Sequence, residues 1–301
     1  MTENTPIWPQ ERPNYDSLAV AVQGEAARWN VPGMTAAVLH DGKREHAAAG
    51  LTNLEHPAPV TPDTRFQIGS ISKVFTATAI MALVDEGLLD LDAPVTRWLP
   101  ELPIARQAGP EPLTLRHLLN HTTGIEGDVF FDTGAGDDAL DKAMGRLDDV
   151  RRWTIPGEVY AYCNSGFYIA GRIIEIVAEK TYEEVVRERV FEPLGLNQTG
   201  FASADLVTVP TASGHTHKDR ASGYSVYRPW ALPRVVNPAG GIVGTVDDLL
   251  TFAEMHLCDG EHDGPRVLTR DSARAMRDRT SKQGALDVGY GIGWNIESVG
   301  D

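Results

Sequence analysis

The sequence predicts an α/β fold of the α+β type, an antiparallel sheet flanked by helices with an all-helical region inserted, and three observations predict it. Two short apolar runs face each other across Asp41-Gly42, as the strands of a hairpin do. The stretch Val288-Gly-Tyr-Gly-Ile-Gly-Trp-Asn-Ile-Glu alternates small and large residues and reads as a strand with close neighbours. Between them, from Thr96 to Arg234, the patterns are mainly helical with many loops. The domain reading is therefore a discontinuous core over 1–95 and 235–301, interrupted by a helical insert over 96–234, and 301 residues suffice to bury a substantial core.

Taken in order, Tyr15 to Asn30 carries Leu18, Val22, Ala26 and Trp29 at helical spacing, ended by Pro32 and Gly33. The hairpin follows, over Met34 to His40 and an alanine-rich run to Gly50. Ser70 to Glu86 contains no Gly or Pro, has a serine as a plausible cap and Gly87 just past its end, and is apolar all round, which implies a buried helix. Leu115 to Asn120 is a short helix stopped by Gly124; Ser165 to Glu179 and Glu183 to Val190 are further helices. A Gly-rich turn, Asn237-Pro-Ala-Gly-Gly-Ile-Val-Gly, introduces a helix over Thr245 to His256.

Composition narrows the function. A hydrophobic share of 42% and a charged share of 23% fit a globular protein, while a net charge of -15 with no basic run argues against nucleic acid. Cys163 and Cys258 are the two cysteines, too few for a disulfide framework and suited to a reducing compartment. The opening residues carry no apolar run behind a basic start, and no stretch is long enough to span a bilayer, so a cytoplasmic protein without membrane contact is the expectation.

The strongest chemical signal is Gly69-Ser70-Ile71-Ser72-Lys73 at the start of the buried helix. Residues three apart share a helix face, so the Lys73 amine reaches the Ser70 hydroxyl. A serine is a poor nucleophile until a neighbour takes its proton, and burial and the positive end of the helix dipole lower a lysine's pKa toward that task. A lone Ser-x-x-Lys is more often a cap and a solvated lysine; a lysine in the first turn of an otherwise apolar helix wants a specific partner.

Thr64-Arg-Phe-Gln-Ile-Gly-Ser-Ile-Ser-Lys and the helix after it resemble the first motif region of the serine β-lactamase and penicillin-binding-protein family, class C-like, which includes esterases and D-aminopeptidases. Leu113-Thr-Leu-Arg-His-Leu-Leu-Asn-His-Thr-Thr-Gly-Ile and Asn237-Pro-Ala-Gly-Gly-Ile-Val-Gly-Thr resemble two further blocks, and the similarity runs from Val31 to Trp294. The family's Tyr-x-Asn is matched by Tyr162-Cys-Asn164. The resemblance implies a β-lactamase/transpeptidase-like fold, no cofactor, and acyl transfer with Ser70 as nucleophile, Lys73 as base, Tyr162 as a readily ionised proton shuttle and Asn164 as a hydrogen bonder to Lys73 and substrate.

The family's third motif, Lys-Thr-Gly or a His-based variant, supplies one oxyanion-hole amide, worth on the order of 100- to 1000-fold in rate. It has no counterpart in a suitable place here. Gly289 to Trp294 resembles the strand before it, so the sequence reads as truncated; a second chain completing the site, or a degenerate protein, are the other readings. The expected activity is hydrolysis of a small-molecule ester or amide, most like a carboxylesterase. The alternatives are a β-lactamase, a D-Ala carboxypeptidase or D-aminopeptidase, and, from another class, a non-catalytic binding protein that keeps the fold.

Other constellations rank lower. His256, Cys258 and His262 fit no common zinc spacing and read as a solvated loop, and His215 and His217 also read as loop residues. His121 reads as a structural hydrogen bonder rather than a triad base, and Tyr160 as a packing residue.

Overall fold

A computed structural model describes residues 15–106, 111–201, 206, 208–217, 223–261, 264, 266–282 and 288–297. The first helix, α1 (Leu18–Arg28), starts at Ser17, whose hydroxyl accepts from the Val20 N–H, and buries Val22 and Ala26. Trp29, expected on that buried face, lies outside the helix and is 44% exposed, its indole donating to Glu25 at 2.8 Å.

Helix α1 packs on a hairpin of β1 (Gly33–His40) and β2 (Lys43–Gly50), paired from Gly33 opposite Gly50 to His40 opposite Lys43. Asp41 and Gly42 both have positive φ, 49° and 71°, which is what a two-residue turn between twisted antiparallel strands demands. The helix Val246–Leu257, capped by Thr245, packs against β1, and Arg44 of β2 reaches its Asp247 and Glu254.

The fold is the expected mixture of antiparallel strands and helices, but the strands form several small sheets among the described residues rather than one. Besides the hairpin, Ile242–Gly244 lies between Phe66–Gln67 and Gly200–Phe201, His215–His217 pairs with Tyr224–Val226, and Val288–Tyr290 lies between Ser281–Lys282 and Asn295–Glu297. His215 and His217 thus belong to a strand, not the loop expected. The single strand expected over 288–297 is a tight hairpin. Gly293 turns it with φ 81°, and a Cβ there would stand 2.7 Å from the Ala77 Cβ; only glycine lets this chain lie against the helix that follows Ser70.

That helix, α2 (Ser72–Asp85), is buried on all faces, from Ser72 through Leu83, and Gly87 follows it with φ 74°. The expectation that Ser70 caps it needs correcting. Gly69–Ile71 forms a 3-10 turn ahead of the α-helix, and Ser70 sits inside that turn. Phe75 stacks on Phe252 and meets Phe191 edge-on, so α2 is the axle of the hydrophobic core.

Three further helices carry the site's surroundings. Leu115–Leu119 ends before His121, whose φ of 60° turns the chain earlier than the glycine expected to stop it. Asn164–Ala178 crosses α2; its cap is Cys163, whose sulfur accepts from the Gly166 N–H. Gly171 allows the Pro238 ring to approach, because a Cβ there would fall 2.4 Å from it. Tyr182–Val186 continues as a wider π turn over Arg187–Phe191.

Candidate active site

The 3-10 turn leaves Ser70 exposed at the surface while Lys73, one turn on, is 0% exposed. The Lys73 ammonium is enclosed by three acceptors: the Ser70 hydroxyl at 3.2 Å, Asn164 Oδ1 at 2.8 Å and the Ala239 carbonyl at 2.7 Å. The Tyr162 and Phe167 rings lie 4.8 and 5.4 Å from it. Burial pushes the Lys73 pKa down from 10.5 to about 8, with Cys163 and the Asp128 carboxylate acting in the opposite sense.

These contacts dictate what a neutral Lys73 does. A neutral amine has two N–H groups and one lone pair. The Ala239 carbonyl and Asn164 Oδ1 can only accept, so they take the two N–H groups. The lone pair is left for the one partner able to donate, the Ser70 hydroxyl. The Asn164 orientation is itself unambiguous, because its amide nitrogen donates to Asp128 Oδ1 at 2.7 Å and its oxygen must then face the lysine.

Tyr162 lies beside this group, its ring 4.8 Å from the Lys73 nitrogen. Contrary to the expectation of an easily ionised phenol, burial raises its pKa above the usual value, and the nearby Ser70 hydroxyl only partly offsets that. Tyr162 is therefore a protonated donor. One face of its ring stacks on His121, centroids 4.3 Å apart at 26°, while 39% of the residue remains exposed.

His121 is the bracket of this segment. Its carbonyl accepts from the Ala161 N–H at 2.8 Å and its Nδ1 accepts from the Cys163 N–H at 2.9 Å, one residue either side of Tyr162. The imidazole is fully buried, and burial followed by the Lys73 charge drives its pKa to about 3, so it is neutral and unsuited to a base. Tyr160 packs against Tyr290 and the edge of His121. Gly127 completes the frame: its carbonyl accepts from the Asn164 and Ser165 N–H groups, and a Cβ on it would fall 2.2 Å from the Tyr162 carbonyl.

The structure thus brings Ser70, Lys73, Tyr162 and Asn164 together. Sequence reasoning missed Asp128, Gly127 and the Ala239 carbonyl. Only the last had a visible signal, the glycine pair that follows it: a Cβ on Gly241 would fall 2.0 Å from Asn237 Oδ1. Of the histidine and cysteine trio, His256 is buried and bonded to Thr78 at 3.1 Å rather than in a solvated loop, Cys258 is exposed, and His262 lies outside the described residues. No helix among the described residues is long and apolar enough to cross a membrane.

Residues 18–301 match the family described as Beta-lactamase. The chain is 37% identical over 279 residues to penicillin-binding protein 4 of Amycolatopsis lactamdurans, covering 89% of this chain and 71% of that one. It is 30% identical to esterase EstB of Burkholderia gladioli, covering 84% and 71%. Among solved structures, the octameric penicillin-binding protein homologue from Pyrococcus abyssi superimposes with a TM-score of 0.77 at 29% identity, over 90% of this chain; the chain spans 62% of that protein's length.

Proposed function

The chain belongs to the β-lactamase family of serine hydrolases, and on that footing we propose that it hydrolyses a carboxylic ester through an acyl-enzyme on Ser70. The observation that carries this reading is the enclosure of Lys73, which leaves its lone pair one direction to point. Ser70 Oγ bonds to the carbonyl carbon as its proton passes to Lys73. Tyr162 then gives its phenolic proton to the departing alkoxide and is reprotonated from Lys73. Water releases the acid and restores the serine. Asn164 holds Lys73 and has a second amide N–H for the substrate.

The Ser70 N–H, in the first turn of its helix, is one of the donors that a helix start leaves unpaired, and it serves as one half of the oxyanion hole. In this reading, 1–95 and 235–301 form the core that carries Ser70, Lys73 and Ala239, and 96–234 forms the insert that carries Tyr162 and Asn164. The esterase reading is supported by the EstB relationship. A second reading, acylation by a penicillin, is favoured by the name of the 37% identical relative.

A fluorophosphonate probe and a nitrophenyl ester, measured beside a chromogenic cephalosporin, test the proposal. The wild type is expected to label and to turn over the ester faster than the cephalosporin. Ser70→Ala should lose the label and at least on the order of 10,000-fold in rate. A folded wild type that takes no label removes the acyl-enzyme, and faster cephalosporin turnover favours the second reading.

A further inference from the structure

The Ala239 carbonyl that holds Lys73 belongs to a single helical turn, Asn237–Gly240. One turn does not hold itself, because closing it fixes more backbone than its one hydrogen bond repays. What fixes this carbonyl must therefore lie in the residues packed around the turn.

One of them is Thr76, on α2 three residues after Lys73 and 0% exposed. Its hydroxyl oxygen stands 2.7 Å from the Pro238 carbonyl, 2.8 Å from the Tyr182 hydroxyl and 3.2 Å from the Ser72 carbonyl. The proton positions follow by elimination. Tyr182 is fully buried, and burial keeps its phenol protonated. Thr76 is the one partner of that hydroxyl among the described residues, so the phenolic proton goes to Thr76. The Thr76 proton is left for the two carbonyls, and the shorter contact takes it to Pro238. Tyr182 thus donates to Thr76, and Thr76 donates to the Pro238 carbonyl.

Pro238 and Ala239 are adjacent in the chain, and Thr76 and Lys73, three residues apart, share one face of α2. Two contacts therefore run side by side between the same two elements, Thr76 to Pro238 and Lys73 to Ala239. Asn237 ties the start of the turn, its Nδ2 donating to Glu183 Oε1 at 2.7 Å. Tyr182 and Glu183 are consecutive at the start of the helix Tyr182–Val186, so one element braces the turn at two points.

We propose that Thr76 is a positioning residue for acyl transfer: its hydroxyl, oriented by Tyr182, pins the Pro238 carbonyl and so aims the Ala239 carbonyl at the Lys73 amine. The proposal rests on Lys73 being the base for Ser70. Without the Thr76 contact the turn can pivot, and two things change together. The ammonium loses an acceptor, which lowers its proton affinity further, and the neutral amine loses a partner that directs its lone pair at Ser70. The titratable groups facing Lys73 are Tyr162, Cys163, Asp128 and the neutral His121, and none of them is a partner of the Thr76 hydroxyl.

The experiment follows kcat and kcat/KM for a nitrophenyl ester against pH in three variants. Thr76→Val keeps the shape and removes the hydroxyl. Its kcat is expected to fall roughly 10- to 100-fold, the cost of a small displacement at the reacting groups, with KM little changed. Its kcat/KM inflection should move to lower pH than in the wild type. Thr76→Ser keeps the hydroxyl and should restore both the rate and the inflection. Tyr182→Phe frees the Thr76 hydroxyl to turn toward Ser72 and should move both in the same direction as valine, by less.

A lower kcat in Thr76→Val with an unmoved inflection overturns the proposal and leaves Thr76 as a packing residue. An inflection that rises toward 10.5 overturns it too, because it means that water has reached the lysine. A loss in Tyr182→Phe larger than in Thr76→Val puts the effect in the packing of the phenol and also overturns it. If the valine variant does not fold, Tyr182→Phe decides alone: a lowered inflection supports the proposal and an unmoved one overturns it. Failure of the Ser70 and Lys73 reading looks different: the fluorophosphonate leaves no label on the wild type, and there is no inflection to move.

Discussion

The two halves of the site are held by different forces. Ser70 and Lys73 ride on a helix start whose following turns are buried on every face, so core packing fixes them. Tyr162 lies in irregular chain and Asn164 opens a helix, and both are fixed by hydrogen bonds to His121 and Gly127 and by one ring stack. In the first half the proposed base works against the packing, because a buried ammonium is costly. In the second half the groups that hold the geometry are not the groups proposed to react. Stability and chemistry should therefore separate in opposite ways in the two halves.

Lys73→Met breaks the comparison most strongly. It keeps an unbranched apolar side chain in the core and removes the proposed base, so kcat/KM should fall on the order of 100- to 10,000-fold. The stability argument runs the other way. The folded protein releases the Lys73 proton at about 8, the unfolded chain near 10.5. Between those values the unfolded chain binds more protons, so stability rises with pH across that window, and below it the buried charge costs the fold about 3 kcal/mol. Methionine carries no such cost but leaves Asn164 and the Ala239 carbonyl without their donor. The melting temperature at pH 7 should be no lower than wild type; a clear drop would show that the lost hydrogen bonds outweigh the charge.

The pH profile sharpens the same half. With Lys73 as base, kcat/KM for an uncharged ester should rise about tenfold per unit below pH 8 and level off above it. His121, driven to about 3, contributes no step near the ordinary histidine range. A single inflection near 6.5 would instead point to a histidine base and remove the lysine from that role.

This contrast also marks what was legible in the sequence. The hairpin, α2 and the Ser70–Lys73 spacing are local: alternation, an Asp-Gly turn and an apolar helix state them within a few residues. Tyr162 and Asn164 needed the resemblance, since one residue in an irregular stretch and one at a helix start carry no periodicity. Asp128 was invisible, because its meaning comes from a contact 36 residues away in the chain. The 288–297 hairpin was misread as one strand for a similar reason. Its glycines report the closeness of α2, and a sequence pattern does not say what a glycine is close to.

His121 gives the finest test, because its two contributions can be divided. Phenylalanine in its place keeps a ring against Tyr162 but loses the acceptor for the Cys163 N–H, and it sits poorly at a φ of 60°. Asparagine loses the ring, yet tolerates left-handed backbone and offers an oxygen where the imidazole has Nδ1. The stack and the hydrogen bond are each worth about 1 kcal/mol, so neither decides between the variants. The backbone does: a bulky aromatic strained at this turn adds roughly 1–3 kcal/mol that asparagine avoids. His121→Asn should therefore keep more activity than His121→Phe, roughly a tenfold loss against a hundredfold one, although phenylalanine is closer in shape. The split should fall in kcat rather than KM, because His121 reaches the substrate only through Tyr162. A reversed order, with phenylalanine the better substitute, would mean that the ring stack alone holds the tyrosine.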